Sequence, residues 1–157
     1  MKVKLIQIGK TDASYLTEGI EKYNKRIKHY HPYEIITIPD IKNVKNISQE
    51  QQKKLEAEKI LKAIENTDLV ILLDEKGKEL SSVKFANFIN DTMLQSIKQL
   101  IFVIGGPYGF DSSVYNRANR KIALSQMTFS HQLVRLIFAE QLYRANSIIK
   151  REPYHHE

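Results

Sequence analysis

A chain of 157 residues, 42% of them hydrophobic, suits a single domain built round one core, here taken as residues 1–157. Its formal charge of +6 favours a polyanionic partner, and the absence of cysteine excludes a disulfide framework or a thiolate metal site and fits a reducing compartment. No segment reads as a membrane span or signal peptide and none of the five histidines pairs at a metal-ligand spacing, so the expectation is a cytoplasmic protein with neither membrane nor metal partner.

The first predicted strand is Lys2–Ile8 (KVKLIQI), ended by Gly9. A helix is predicted from Asp12 to Lys28, with Tyr15, Leu16, Ile20, Tyr23 and Ile27 on one face. Pro32 breaks the chain before a second strand, Tyr33–Ile38. Residues 39–47 have no clear period and read as a loop. Ser48 with Gln51 three residues later is a capping-box pattern. It opens a polar helix to Glu65 whose buried stripe is read as Leu55, Ile60, Leu61 and Ile64. Asp68–Asp74 (DLVILLD) is a continuous apolar run, the pattern of a strand covered on both faces. Gly77 is expected in a turn before a helix from Ser82 to Leu94. QLIFVIGG supplies a second doubly buried strand, and Asp111 is placed to cap a short helix running through Ala118. Lys121–Ser125 is a short fifth strand, and the last helix runs from Ser130 to Ile148.

Five strands, most of them followed by a helix, predict an α/β fold with a mostly parallel sheet and helices on both faces. Such sheets bind ligands outside the carboxyl ends of their strands. Those ends carry Leu73-Asp74, Gly105-Gly106 and Ser125-Gln126. The run GGPYG matches neither Walker A nor the dinucleotide fingerprint, and no nucleophile elbow is present. Two consecutive glycines bare a strand end to a ligand; the alternative is a tight turn. The last helix is apolar nearly all round and needs cover on two sides, the second of which a second copy could supply. Glu140 and Arg144 are spaced i, i+4, as are His131 and Arg135. Such a pair is either an ordinary helix contact or an arginine held toward an anion. The ending KREPYHHE is either a frayed terminus or a source of histidines for proton transfer.

In order and spacing, LLDEKGKELSS, IGGPYGF, LSQMTFSHQLVRLIFAEQLYRA and PYHHE resemble the ribosomal RNA large subunit methyltransferase H family of SPOUT methyltransferases, along essentially the whole chain. The resemblance implies a SPOUT-type α/β fold with a carboxyl-terminal trefoil knot, a homodimer, and S-adenosyl-L-methionine as cofactor. It implies methylation of N3 of pseudouridine1915 in 23S rRNA, with the assembled ribosome as substrate. By motif, the cofactor contacts are Leu73, Gly105, Leu124, Ser125, Gln126, Met127, Thr128 and Phe129. For the chemistry, His155 is the candidate base, Tyr154 and Arg144 position it or stabilise charge, and Glu140 orients Arg144; the tail is expected to reach the partner subunit's cofactor. Lys22, Lys25, Arg26, Lys28, Arg117, Arg120 and Lys121 are candidate phosphate contacts. The alternative is a non-catalytic basic RNA- or ribosome-binding α/β factor, which needs neither a bare glycine strand end nor a cofactor.

Overall fold

Five strands form one sheet: β1 (Lys2–Ile8), β2 (Tyr33–Ile38), β3 (Leu69–Glu79), β4 (Gln99–Ile104) and β5 (Arg120–Ala123). Their order is β2-β1-β4-β3-β5, and every neighbouring pair is parallel. This computed structural model describes residues 1–156; Glu157, the last residue of the PYHHE motif, lies outside the described residues. The α-helices are α1 (Ser14–Ile27), α2 (Gln49–Lys62), α3 (Ser82–Leu94), α4 (Ser112–Arg117) and α5 (Leu133–Ile149).

The continuous apolar run of β4 is explained by its two neighbours in the third dimension. Leu100, Phe102 and Ile104 face a core shared with α1, α3 and α5, while Ile101 and Val103 face a second core under α2 and α4. Successive side chains of a strand point to opposite faces, so a strand with helices on both sides must be apolar at every position. Phe102 packs on Phe138 of α5 with ring centroids 4.8 Å apart, which sets α5 directly over the centre of the sheet. Local signals hold where they are self-contained. Ser48 accepts from the Gln51 backbone N–H at 3.1 Å and Gln51 Oε1 accepts from the Ser48 N–H at 2.9 Å, a closed capping box. Asp111 caps α4 by accepting from the Ser113 N–H at 2.9 Å.

Several expectations need correction. Gly77 is not in a turn: β3 runs on to Glu79, and the strand pairs with β5 twice, with a register shift between Leu73 and Lys78. Leu55 leaves the expected stripe of α2 and is exposed, because the helix turns Glu56, Ala57 and Ile60 to the sheet instead. Tyr15 is 71% exposed, so the buried face of α1 is Leu16, Ile20 and Ile27. That helix starts at Ser14 because Asp12 is engaged elsewhere: its N–H donates to Gln132 Oε1, and its carboxylate accepts from the Gln132 amide. The loop 39–47 holds a short 3-10 turn, Val44–Asn46. Strand β5 ends two residues earlier than expected, α2 ends at Lys62, and α5 begins at Leu133.

His31, between α1 and β2, is buried with Nε2 2.7 Å from Asn146 Oδ1 of α5. The Asn146 amide nitrogen donates to the Leu142 carbonyl, so Oδ1 must accept and the imidazole proton sits on Nε2. Burial lowers the His31 pKa from its ordinary 6.5, outweighing the opposing effect of the Asn146 bond. The unfolded chain then binds the proton first. His31's contribution to stability is complete above pH about 6.5 and is lost as pH falls through its folded value. Wild-type protein is therefore expected to melt at a lower temperature at pH 5 than at pH 7, with a smaller gap in His31→Gln; an equal gap in both would exclude His31 as a source.

Candidate functional site

The carboxyl ends of β3, β4 and β5 open into a cleft of about 640 Å³, a size typical of sites that enclose a small ligand. Three segments form its walls: residues 73–76, residues 104–110, and the chain leaving β5. Parallel pairing brings all three to one edge, since Leu73 lies level with Ile104 and with Ile122. Of the residues expected to touch a cofactor, Leu73, Gly105, Leu124, Ser125, Met127, Thr128 and Phe129 line the cleft. Gln126 does not; its amide donates to Glu79 at 3.3 Å, tying the segment to the far end of β3.

The two glycines are also held by protein contacts that the sequence does not reveal. A Cβ on Gly105 would meet the Phe110 ring at 3.1 Å, and a Cβ on Gly106 would meet the Glu56 carboxylate at 2.7 Å. Their missing side chains make room for protein neighbours, and the backbone that remains faces the cleft. The segment is also a tight turn, with the Gly109 N–H donating to the Gly106 carbonyl at 3.2 Å and Gly109 at φ +78°. Both sequence readings, turn and bare backbone, therefore describe the same loop.

Charge in the cleft is arranged unevenly. Asp74 and Glu75 stand at the end of the buried part of β3, and Lys53 and Lys76 line the same space. Tyr115 donates to Asp74, and Thr128 donates to Glu75 at 3.2 Å, which holds both carboxylates in place. Burial, reinforced by the Asp74 bond, pushes the Tyr115 phenol above its ordinary range, so it stays a donor. Phe110, Tyr108 and Phe129 supply aromatic wall. Negative oxygens beside aromatic surface suit a ligand with a positive centre and a flat ring.

The four residues expected to do chemistry lie together, away from this cleft. Arg144 Nε donates to Glu140 Oε1 at 2.9 Å, and the guanidinium carbon sits 4.8 Å from the centre of the Tyr154 ring. Tyr154 donates to Glu140 at 3.2 Å, and His155 Nδ1 is 3.3 Å from Arg144 Nη1. The Glu140 bond holds Arg144 firmly protonated. Burial, the bond to Tyr23 and the Glu140 carboxylate push the Tyr154 phenol above its usual range. None of the four lines the cleft of the same chain.

The tail is fastened by residues that the sequence pattern did not single out for it. Tyr30 donates to Glu152, Tyr23 and Tyr154 share a hydroxyl contact of 3.2 Å, and Tyr143 packs edge-on against Tyr154 with centroids 4.6 Å apart. Arg135 was visible only as a helix neighbour of His131. It is 1% exposed, donates to the Ile8 carbonyl and to Thr11 at 2.9 Å, and so ties α5 to the end of β1. Its signal in the sequence was a cation inside the otherwise apolar stretch 133–139. Among the expected phosphate contacts, Arg117 is committed elsewhere, donating to the backbone carbonyls of Glu65 and Asp68 at 2.6 and 3.0 Å. Arg26 lies over the rings of Tyr23 and Tyr143, whereas Lys22, Lys25 and Lys28 are exposed. Among the described residues no helix is long and apolar enough to cross a membrane, and no cluster of three or more His, Asp or Glu could hold a metal ion.

Sheet and cleft together define a parallel α/β protein with a cleft of small-ligand size at its strand ends. A family model described as "Predicted SPOUT methyltransferase" matches residues 1–155. The chain is 57% identical to the Ribosomal RNA large subunit methyltransferase H of Parabacteroides distasonis over 157 residues, the whole of both chains. It is 54% identical to the protein of that name in Christiangramia forsetii over 156 residues, 99% of each, and 53% identical to that of Flavobacterium johnsoniae over the whole of both. The chain belongs to the SPOUT methyltransferases, in the ribosomal RNA large subunit methyltransferase H family.

Proposed function

We propose that the protein methylates N3 of pseudouridine1915 in 23S rRNA of the assembled ribosome, using S-adenosyl-L-methionine, as a cytoplasmic homodimer with a trefoil knot in its carboxyl-terminal half. The observation that carries this reading is the gathering of residues 73, 105, 124, 125 and 127–129 round one cleft, in a chain 57% identical to a full-length relative named as a large-subunit rRNA methyltransferase. The residues there fit a sulfonium-bearing nucleoside. Asp74 and Glu75 offer negative charge to its positive centre, Phe110 and Phe129 offer a surface for its base, and the Gly105-Gly106 backbone offers polar groups at close range. When bound, the cofactor supplies an already activated methyl group.

The chain's own residues must then align the acceptor nitrogen and remove its proton. Arginine can only donate, so in the contact with Arg144 the His155 Nδ1 accepts and the neutral ring carries its proton on Nε2. His155 gains a free lone pair when Arg144 turns from it to an oxygen of the RNA. Glu140 keeps Arg144 charged and aimed during that exchange. Tyr154, kept protonated, serves as a donor and as a face for the guanidinium. Because this cluster does not line its own chain's cleft, the reading pairs each tail with the cleft of a second copy.

Methyl transfer from labelled cofactor tests the reading, with ribosomes lacking the modification and protein-free 23S RNA side by side. Label at N3 of pseudouridine1915, on ribosomes only, is the expected result. Cofactor binding without transfer to either substrate would retain the cleft and remove the substrate. No binding and no transfer would favour the non-catalytic RNA-binding alternative.

A further inference from the structure

A second cleft, of about 340 Å³, lies between α3 and the outer strand β5. Its lining includes the cations Lys78, Lys84 and Arg120 against one carboxylate, Asp91, with Phe88 among its apolar residues; Lys121 also borders it, but its ammonium lies against Tyr115. The ion pairs among the described residues are Lys2–Glu34, Lys53–Glu50 and Arg144–Glu140, so Lys78, Lys84 and Arg120 make no direct ion pair with a described carboxylate. The Arg120 guanidinium lies 5.5 Å from the centre of the Phe88 ring, which offers a flat cationic and aromatic surface. An unpaired basic cleft with an aromatic side is the combination that takes a phosphodiester and an unstacked base together.

The position of the cleft matters as much as its chemistry. Residues 120–122 of β5 line this second cleft, and residues 124 and 125, just beyond the same strand, line the first. Lys121 joins the two, since its ammonium lies 5.3 Å from the ring of Tyr115, a residue of the first cleft. Four strand residues at about 3.3 Å each span about 13 Å. A ligand chain that follows the sheet edge over that distance has one unit at the strand ends and its neighbours against α3.

We infer that the cleft between α3 and β5 is a second RNA site, in which Lys78, Lys84 and Arg120 hold phosphates of nucleotides flanking the target and Phe88 with Arg120 stacks an unpaired base. This rests on the proposed rRNA substrate. It adds a place where this domain gains grip on its substrate, and it makes flanking single-stranded nucleotides part of recognition.

The test uses Lys84→Glu with Arg120→Glu, and separately Phe88→Leu, all in the full-length protein. Three quantities are measured: calorimetric affinity for S-adenosyl-L-methionine, KM and kcat on ribosomes lacking the modification, and the salt dependence of binding to a labelled decauridine. The charge-reversed variant is expected to bind cofactor normally, raise KM roughly tenfold with kcat little changed, and lower the salt slope by about 1 for each cation removed. Phe88→Leu is expected to weaken decauridine binding with no change in salt slope. Unchanged KM and salt slope beside normal wild-type turnover would overturn the second site alone. Loss of ribosome binding with normal decauridine binding would assign the cleft to a protein partner and overturn the RNA site. A wild-type protein that transfers no methyl to ribosomes would overturn the underlying function, and this inference with it.

Discussion

Gly77→Ala is expected to destabilise the protein by about 1–3 kcal/mol, the usual cost of forcing a methyl group into a packed contact. The added Cβ would come within 2.6 Å of the backbone N and C of Ile122 and 2.7 Å of the Lys121 carbonyl carbon. These are main-chain atoms of β5, so no side chain can swing away to relieve the clash. The relief available is for the extension of β3 to part from β5, breaking the pairing of Lys78 with Ile122 and of Glu79 with Ala123. Because β5 leads directly into residues 124–129, the loss should reach the first cleft. Denaturant unfolding and cofactor calorimetry on the same variant check this: a lower midpoint and weakened binding are expected. A variant of wild-type stability and affinity would mean that the extension of β3 does not hold that wall in place.

His155→Ala is expected to lower methyl transfer by about 10²–10⁴-fold, the usual range for a lost proton-transfer group, while leaving cofactor affinity unchanged. Arg144→Lys should fall in the same direction, because lysine cannot hold the Glu140 carboxylate and the histidine through separate nitrogens of one planar group. The separation of tail and cleft in one chain makes a sharper test available. His155→Ala has an intact cleft, and a Gly105→Val variant, whose side chain would press on Phe110, has an intact tail. If each site takes its tail from one chain and its cleft from another, mixing the two inactive proteins under conditions of subunit exchange restores part of the activity. Failure to recover activity, with exchange demonstrated, would mean that each tail serves its own chain's cleft. Full activity of His155→Ala would remove the histidine from the proton transfer altogether.

Much of this architecture was legible in the amino-acid order, and the features that were legible share a cause. The unbroken apolar run of β4, the Ser48 capping box and the Asp111 cap depend on residues within a few positions of one another or on a strand's two-residue period. A parallel α/β fold with a strand-end cleft followed from those local patterns and from the short segments that resemble the methyltransferase family. What the chain order left hidden depended on contacts between distant segments. Gly77 read as a turn because glycine often marks one; the backbone of β5 at residues 121–122, which forbids a side chain there, comes close only in the folded sheet. Arg135 read as a helix neighbour of His131 because its true partners, Ile8 and Thr11, are more than a hundred residues away. Gly105 and Gly106 line the strand-end cleft, but the neighbours that exclude their side chains are Phe110 and Glu56. By itself the sequence determined the elements, their layered class and the family, since helix caps, strand periods and motifs are written in adjacent residues. Only the tertiary structure decided which loops meet at the cleft, that the tail's cluster stands apart from it, and that a second basic cleft continues along the same strand, because those facts belong to distances between segments that chain order does not contain.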